Sequence, residues 1–323
     1  MEGLIYLDYA ATTPLRKEVK EHMIELLDGP FGNPSSTHQF GRKSRKIVEE
    51  CRKFIASNFN CSTSEIVFTS GGTEADNAAL IMAVRDLGVT RIVTSRIEHH
   101  AILHSAEALK RNYNIDVEFV NLVENGSPDL DDLERILESE QKTLVTLMHA
   151  NNEIGNILDL KKVSELCKNN EAYFHSDTVQ TIGQLSIDLS KVHIDFLSAS
   201  AHKFYGPKGV GFLYVNNTVK AGSFIAGGAQ ERNMRGGTEN ILGIGAMHKA
   251  LELKVLKYDQ ENEHIKSIKI YLMDQLKENF GDQVFFNGGS GDLDISLNKI
   301  LSVSFPKLKN DMLLFTLDLN GIA

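Results

Sequence analysis

Short apolar segments recur along this chain, each followed by a stretch with helical spacing, and that alternation limits the possible folds more than any other feature. Ile66-Val67-Phe68-Thr69 ends in Ser70-Gly71-Gly72 and leads into a helical pattern from about Thr73 carrying Ala75, Ala78, Ala79 and Met82. Arg91-Ile92-Val93-Thr94 and Val117-Glu118-Phe119-Val120 flank a stretch with Ile102, Ala106 and Leu109 on one face, and Ser127-Pro128-Asp129 opens a helix through Leu130, Leu133 and Leu137. Further strands are expected at Leu144–Leu147, Ala172–His175, Phe196–Ala199 and Gly211–Tyr214. Strands that are apolar along most of their length are covered on both faces, so the pattern predicts an α/β fold: a mainly parallel sheet between two layers of helices.

The ends of the chain read differently. Thr13-Pro14 has the form of an N-cap followed by proline at the first helical position, with Leu15, Val19, Met23 and Leu27 on one face, and a second helix follows Gly41. After Thr238 a long helical region runs from about Asn240 to Phe280 with a charged middle, Lys257 to Lys269. Val284-Phe285-Phe286, a Gly288-Gly289 loop, a strand at Leu301–Phe305 and a helix at Asn310–Leu319 then begin a second, α+β unit that stops at Ala323. The expected division is an N-terminal segment (1–15) lying near the small unit and the active site, a large domain (16–255) and an incomplete small C-terminal domain (256–323).

Composition narrows the class of function. With 34 basic and 43 acidic residues the net charge is −9, which argues against DNA or an anionic membrane as the main partner. Three widely spaced cysteines, Cys51, Cys61 and Cys167, make no CxxC pair and point to a reducing, cytoplasmic location. No secretory leader and no membrane-length apolar run is visible.

Chemistry-bearing residues gather where strands end. Ser200-Ala201-His202-Lys203 places a lysine beyond an apolar strand and beside an imidazole and a hydroxyl, a setting that lowers an amine's pKa and suits Schiff-base chemistry. Ser70-Gly71-Gly72-Thr73 turns a strand into a helix, where free N–H groups and a hydroxyl suit a phosphate. Asp177 and Gln180 follow another strand, and a carboxylate there can pair with a protonated heteroaromatic nitrogen. Glu98-His99-His100 offers an imidazole for stacking or proton transfer, and Asn152 ends a fourth strand with an amide. Each alone also fits a capped turn. Together they are the parts of a pyridoxal phosphate site: a lysine anchor, an acid for the ring nitrogen, and donors for the phosphate. The two adjacent histidines point in different directions and have no third ligand nearby, so no metal site is expected.

Eight stretches resemble the pyridoxal-phosphate-dependent cysteine desulfurases of the class V aminotransferase group. They are Tyr6–Pro14, Phe31–Ser36, Phe68–Glu74, Glu98-His99, His149–Gly155, His175-Ser176-Asp177 with Gln180, Ser200–Lys203, and Glu231–Thr238, in that order along the chain. The resemblance implies a fold type I enzyme with a seven-stranded type of sheet. It implies that Lys203 forms a Schiff base with the cofactor and later moves the substrate's Cα proton. His99 would stack on the ring and act in catalysis, Asp177 would meet the ring nitrogen, and Asn152 and Gln180 would meet its phenolic side. Gly72, Thr73, Ser200 and His202 would hold the phosphate. Thr238 would reach the site of a partner subunit, implying a homodimer. The implied reaction takes L-cysteine to alanine and passes sulfur to an enzyme thiolate, for iron–sulfur assembly or tRNA thiolation through an acceptor protein.

In the family the sulfur-accepting cysteine lies in a loop after a segment resembling Leu317–Ala323, where this chain stops. The expectation is therefore a fragment that binds pyridoxal phosphate but forms no persulfide. Other readings are a different class V enzyme (selenocysteine lyase or aminotransferase) and a non-catalytic dimeric scaffold, which would not need Lys203, Asp177 and His99 together.

Overall fold

The computed structural model describes residues 4–323, so the first three residues of the expected N-terminal segment lie outside it. Helices α1 (Lys17–Leu27) and α2 (Gln39–Asn58) precede the strand β1 (Ile66–Thr69) and α3 (Gly72–Arg85). Then come β2 (Arg91–Thr94), α4 (His100–Tyr113), β3 (Asp116–Phe119), α5 (Leu130–Leu137), β4 (Thr143–Thr146) and α6 (Leu160–Asn169). β5 (Tyr173–Asp177), β6 (Phe196–Ser200) and β7 (Gly211–Val215) complete the main strands. The remainder is α7 (Ile241–Leu256), α8 (Tyr258–Phe280), β8 (Phe285–Phe286), β9 (Val303–Ser304) and α9 (Asn310–Leu319).

Seven strands form one sheet in the order β1-β7-β6-β5-β4-β2-β3. All neighbouring pairs from β6 to β3 are parallel; β7 runs antiparallel to both β6 and β1. Because only β7 is reversed, the carboxyl ends of the other six strands share one edge. Successive residues feed opposite cores, as strand geometry requires. Val67, Ile92, Leu144, Phe196 and Leu213 pack with α3 and α4 residues on one face. Phe68, Val93, Val145, Leu197 and Phe212 pack with residues of α2, α5, α6 and α7 on the other. Helices thus cover both faces, and the mainly parallel α/β fold read from the sequence is the fold observed.

One local reading is corrected. Thr13 does not cap the first helix, which starts at Lys17 after Arg16. Its hydroxyl instead donates to His202 O at 2.8 Å and accepts from Tyr205 N at 2.7 Å. A tertiary contact takes the group that local sequence assigned to a cap.

The segment before α7 is strained and strapped down. Glu231, Arg232 and Asn233 all lie in the left-handed region (φ 44°, 56° and 66°), which L residues rarely adopt in succession. Glu231 anchors this run through a buried two-pronged ion pair with Arg52 of α2, at 2.8 and 2.9 Å, and accepts Phe68 N at 2.8 Å. Removing one partner would leave the other charge buried and alone, at a cost of about 3–5 kcal/mol. Glu231→Gln is therefore expected to lower the urea midpoint sharply, whereas Glu49→Gln, on the exposed side of Arg52, changes it little; equal effects would contradict the clamp.

Candidate active site

The carboxyl edge of the sheet opens into a cavity of about 660 Å³. Nine of the ten residues selected from sequence line it: Gly72, Thr73, His99, Asn152, Asp177, Gln180, Ser200, His202 and Lys203. Thr238 lies apart, in a smaller cleft of about 100 Å³ with Ser70, Arg235 and Glu239.

The β1–α3 turn brings glycine backbone to the cavity. Gly71 has φ +150°, a conformation open to glycine, and a Cβ on Gly72 would sit 2.5 Å from Val179 Cγ2. Gly71 is also the N-cap of α3 and offers no side chain, so the first N–H groups of this 14-residue helix have no side-chain cap. Ser200 and His202 line the same cavity. His202 Nδ1 lies 3.1 Å from Thr12 Oγ1, and burial together with Lys203, Lys208 and Lys299 pulls its pKa down to about 4. It is a neutral imidazole at pH 7.

Asp177 is the last residue of β5 and is buried, with Oδ1 accepting Val179 N at 2.9 Å. Part of its role is therefore an ordinary turn. Burial raises its pKa, while His99 and Lys203 favour its charged form. Behind it Asp76 of α3 is 1% exposed; Ser198 Oγ donates to its Oδ1, and His175 Nε2 lies 3.5 Å away. Glu98 completes a buried acidic floor, its Oε1 accepting Ser95 Oγ at 2.8 Å and Met148 N at 3.1 Å.

Lys203 occupies a 3-10 turn directly after β6. Its Nζ donates to the carbonyls of Ala10 at 2.5 Å and Ala11 at 2.9 Å, with no carboxylate in hydrogen-bond range among the described residues. Burial lowers its pKa, against the pull of Asp177, Asp8 and Glu153. Gln180 Nε2 donates to Ala10 O as well, at 3.0 Å, leaving Oε1 buried without a partner among the described residues. His99 caps α4, its Nδ1 accepting Ala101 N at 3.1 Å. Asn152 Nδ2 donates to Glu153 Oε1 at 2.6 Å.

Sequence reading did not select Asp8, Ala10, Ala11, Asp76 or Glu98. Asp76 stands one turn after Gly72, so helical spacing from that glycine could have found it. The main-chain carbonyls of Ala10 and Ala11 carry no side-chain signal at all.

An amine held on carbonyls, a buried carboxyl, an uncapped helix start and an orphan amide oxygen in one cavity fit a flat phosphate-bearing carbonyl compound such as pyridoxal phosphate. This fold is that of an α/β enzyme class, and the cavity's residues are compatible with such a group. The chain matches the aminotransferase class-V family model over residues 5–323 and belongs to that family. It is 43% identical over 322 residues to the putative cysteine desulfurase IscS 1 of Bacillus subtilis, covering 99% of this chain and 83% of that protein. It is 41% identical over 324 residues to cysteine desulfurase IscS of Dictyoglomus turgidum, covering 100% and 81%. Among solved structures, a NifS-like protein superposes with a TM-score of 0.93 at 35% identity over 99% of this chain and 86% of that one. SspA in complex with cysteine gives 0.84 at 28% identity, over 99% and 88%.

Burial pushes Glu98 from an ordinary 4.5 up to about 8. Between those values the folded chain keeps a proton that the unfolded chain releases, so this group's contribution to stability falls as pH rises through that window. Glu98→Gln removes the loss. Its melting temperature is expected to gain on the unaltered chain from about pH 5 to about pH 8, with the gap widening throughout; a constant gap would show that Glu98 is ionised in the folded chain.

Proposed function

We propose that this chain is a pyridoxal-phosphate-dependent cysteine desulfurase acting on L-cysteine. The observation that carries the reading is one cavity lined by a desolvated Lys203, a buried Asp177 and the uncapped start of α3. The relatives named as cysteine desulfurases, and the similar fold of a protein solved with cysteine, support the substrate.

Gly72, Thr73, Ser200 and His202 would hold the phosphate, using main-chain N–H groups and the positive end of α3. Asp177 would keep a proton on the ring nitrogen, and its burial makes that charge-assisted bond strong. His99 would cover the ring; Gln180 and Asn152 would orient its phenolic side. Lys203 would anchor the cofactor and, once released by substrate, move the proton at the substrate's Cα. When bound, the cofactor draws away the electron pair left at that carbon.

We do not read Cys51, Cys61 or Cys167 as the sulfur acceptor. None lines the cavity, and burial pushes each thiol well above its ordinary range. We further read the enzyme as cytoplasmic and dimeric, with Thr238 serving the partner's site and sulfur passed to an acceptor protein. No helix among the described residues is long and apolar enough to cross a membrane.

The test separates anchoring from sulfur transfer. The purified chain is expected to take up pyridoxal phosphate with a visible absorbance band, and to exchange the Cα proton of L-cysteine for deuterium. Lys203→Ala should lose both, with exchange down at least about 10³-fold, as when a catalytic proton-transfer group is removed. Exchange that survives in Lys203→Ala would refute the assignment. Gly72→Ala should weaken cofactor retention through its clash with Val179, and Val179→Ala in the same chain should restore it. Failure of that rescue would show that the phosphate is held elsewhere.

A further inference from the structure

The start of α3 carries a negative charge of its own. Glu74 lies in the first turn of that helix, three residues after the N-cap Gly71, and lines the cavity with Ser70, Gly71, Gly72 and Thr73. Its Oε2 accepts Ser70 N at 2.8 Å, so the carboxylate reaches back over the turn and holds it, as an acid in the first turn of a helix commonly does. That placement conflicts with the function proposed above. A phosphate at the free N–H groups of α3 would meet this carboxylate, and two like charges at one helix start repel.

Arg235 supplies the counter-charge. Its Nε donates to Glu74 Oε1 at 3.0 Å and its Nη2 to Oε2 at 3.4 Å, a two-pronged pair between side chains that are 24% and 11% exposed. Nη1 turns back to Gly236 O at 3.1 Å. The backbone that carries Arg235 is fixed on both sides. Glu231 of the same run is clamped by Arg52, and Gly236 packs so closely on Gly227 that a Cβ there would sit 2.6 Å from Gly227 Cα. Gly236 N also donates to Ile225 O at 2.8 Å. Among the described residues Arg235 is the one cation paired with Glu74. Burial opposes ionisation of Glu74, yet the hydrogen bonds from Arg235 and Ser70 hold its carboxyl below the ordinary range.

We propose that Arg235 is a positioning residue that acts through Glu74: it cancels the carboxylate's charge at the start of α3, so that Glu74 holds Ser70 in place without repelling the cofactor's phosphate. This rests on the reading of Gly72, Thr73, Ser200 and His202 as the residues that hold that phosphate. A guanidinium suits the task because it keeps its proton and its fork takes both carboxylate oxygens. The anion affinity of the α3 turn is thereby tied to the distant run that ends in Thr238.

The experiment is a titration of the purified chain with pyridoxal phosphate and, separately, with pyridoxal, which has the ring and aldehyde but no phosphate. Both are followed by the visible absorbance band. Arg235→Met leaves Glu74 uncompensated and is expected to raise the half-saturating concentration of pyridoxal phosphate about tenfold, an ordinary coupling for residues in contact, and that of pyridoxal by less than about twofold. Adding Glu74→Gln to the same chain removes the stranded charge while its amide oxygen still accepts Ser70 N. The double variant should return to within about threefold of the unaltered chain, as should Arg235→Lys, which keeps the charge. Should Arg235→Met not fold, Arg235→Gln carries the same expectations. An Arg235 variant weakened equally toward both compounds would show a structural tie alone and overturn the proposal, as would a double variant no better than Arg235→Met. If the unaltered chain takes pyridoxal phosphate no more tightly than pyridoxal, the phosphate reading fails and this proposal with it. If that preference exists and persists undiminished in Arg235→Met, the proposal alone is overturned.

Discussion

The amine of Lys203 rests on two main-chain carbonyls, those of Ala10 and Ala11, and much of the site depends on that contact. A carboxylate partner would have held the lysine charged. Neutral carbonyls bury it while leaving the proton free to go. The contact also draws the N-terminal segment across the cavity, where Thr12 meets His202 and Thr13 meets both His202 O and Tyr205 N. Gln180 joins the same Ala10 carbonyl, so Lys203, the N-terminal segment and Gln180 form a single hydrogen-bonded unit.

A second constraint concerns charge. The floor of the cavity holds Asp76, Asp177 and Glu98, all buried, with burial raising each of their pKa values. Carboxyl groups so placed cannot all ionise. Asp177, which alone of the three has His99 and Lys203 pulling toward its charged form, is the one suited to carry the negative charge. Lys203 stands at the same cavity as this acidic floor.

Much of the fold was legible because its signal is local and repeated. Apolar runs such as Ile66–Phe68 and Phe196-Leu197 are strands because both faces are covered, and the parallel order follows from the helices between them. Gly71-Gly72, Asp177 and Lys203 were legible for a related reason: each sits at a strand's carboxyl end, where side chains meet in one crevice. Thr13 was misread because its hydroxyl bonds across the chain to His202 and Tyr205, a contact that local propensity cannot register.

What the sequence alone determined was the α/β architecture, the family and nine residues of one cavity, because periodicity and motif spacing act over a few residues. What only the tertiary structure decided was the state of those residues. It set Ala10 and Ala11 under Lys203, and Asp76 and Glu98 behind Asp177. A proton's position depends on burial and on charges brought together from distant parts of the chain, and those exist only once the chain has folded.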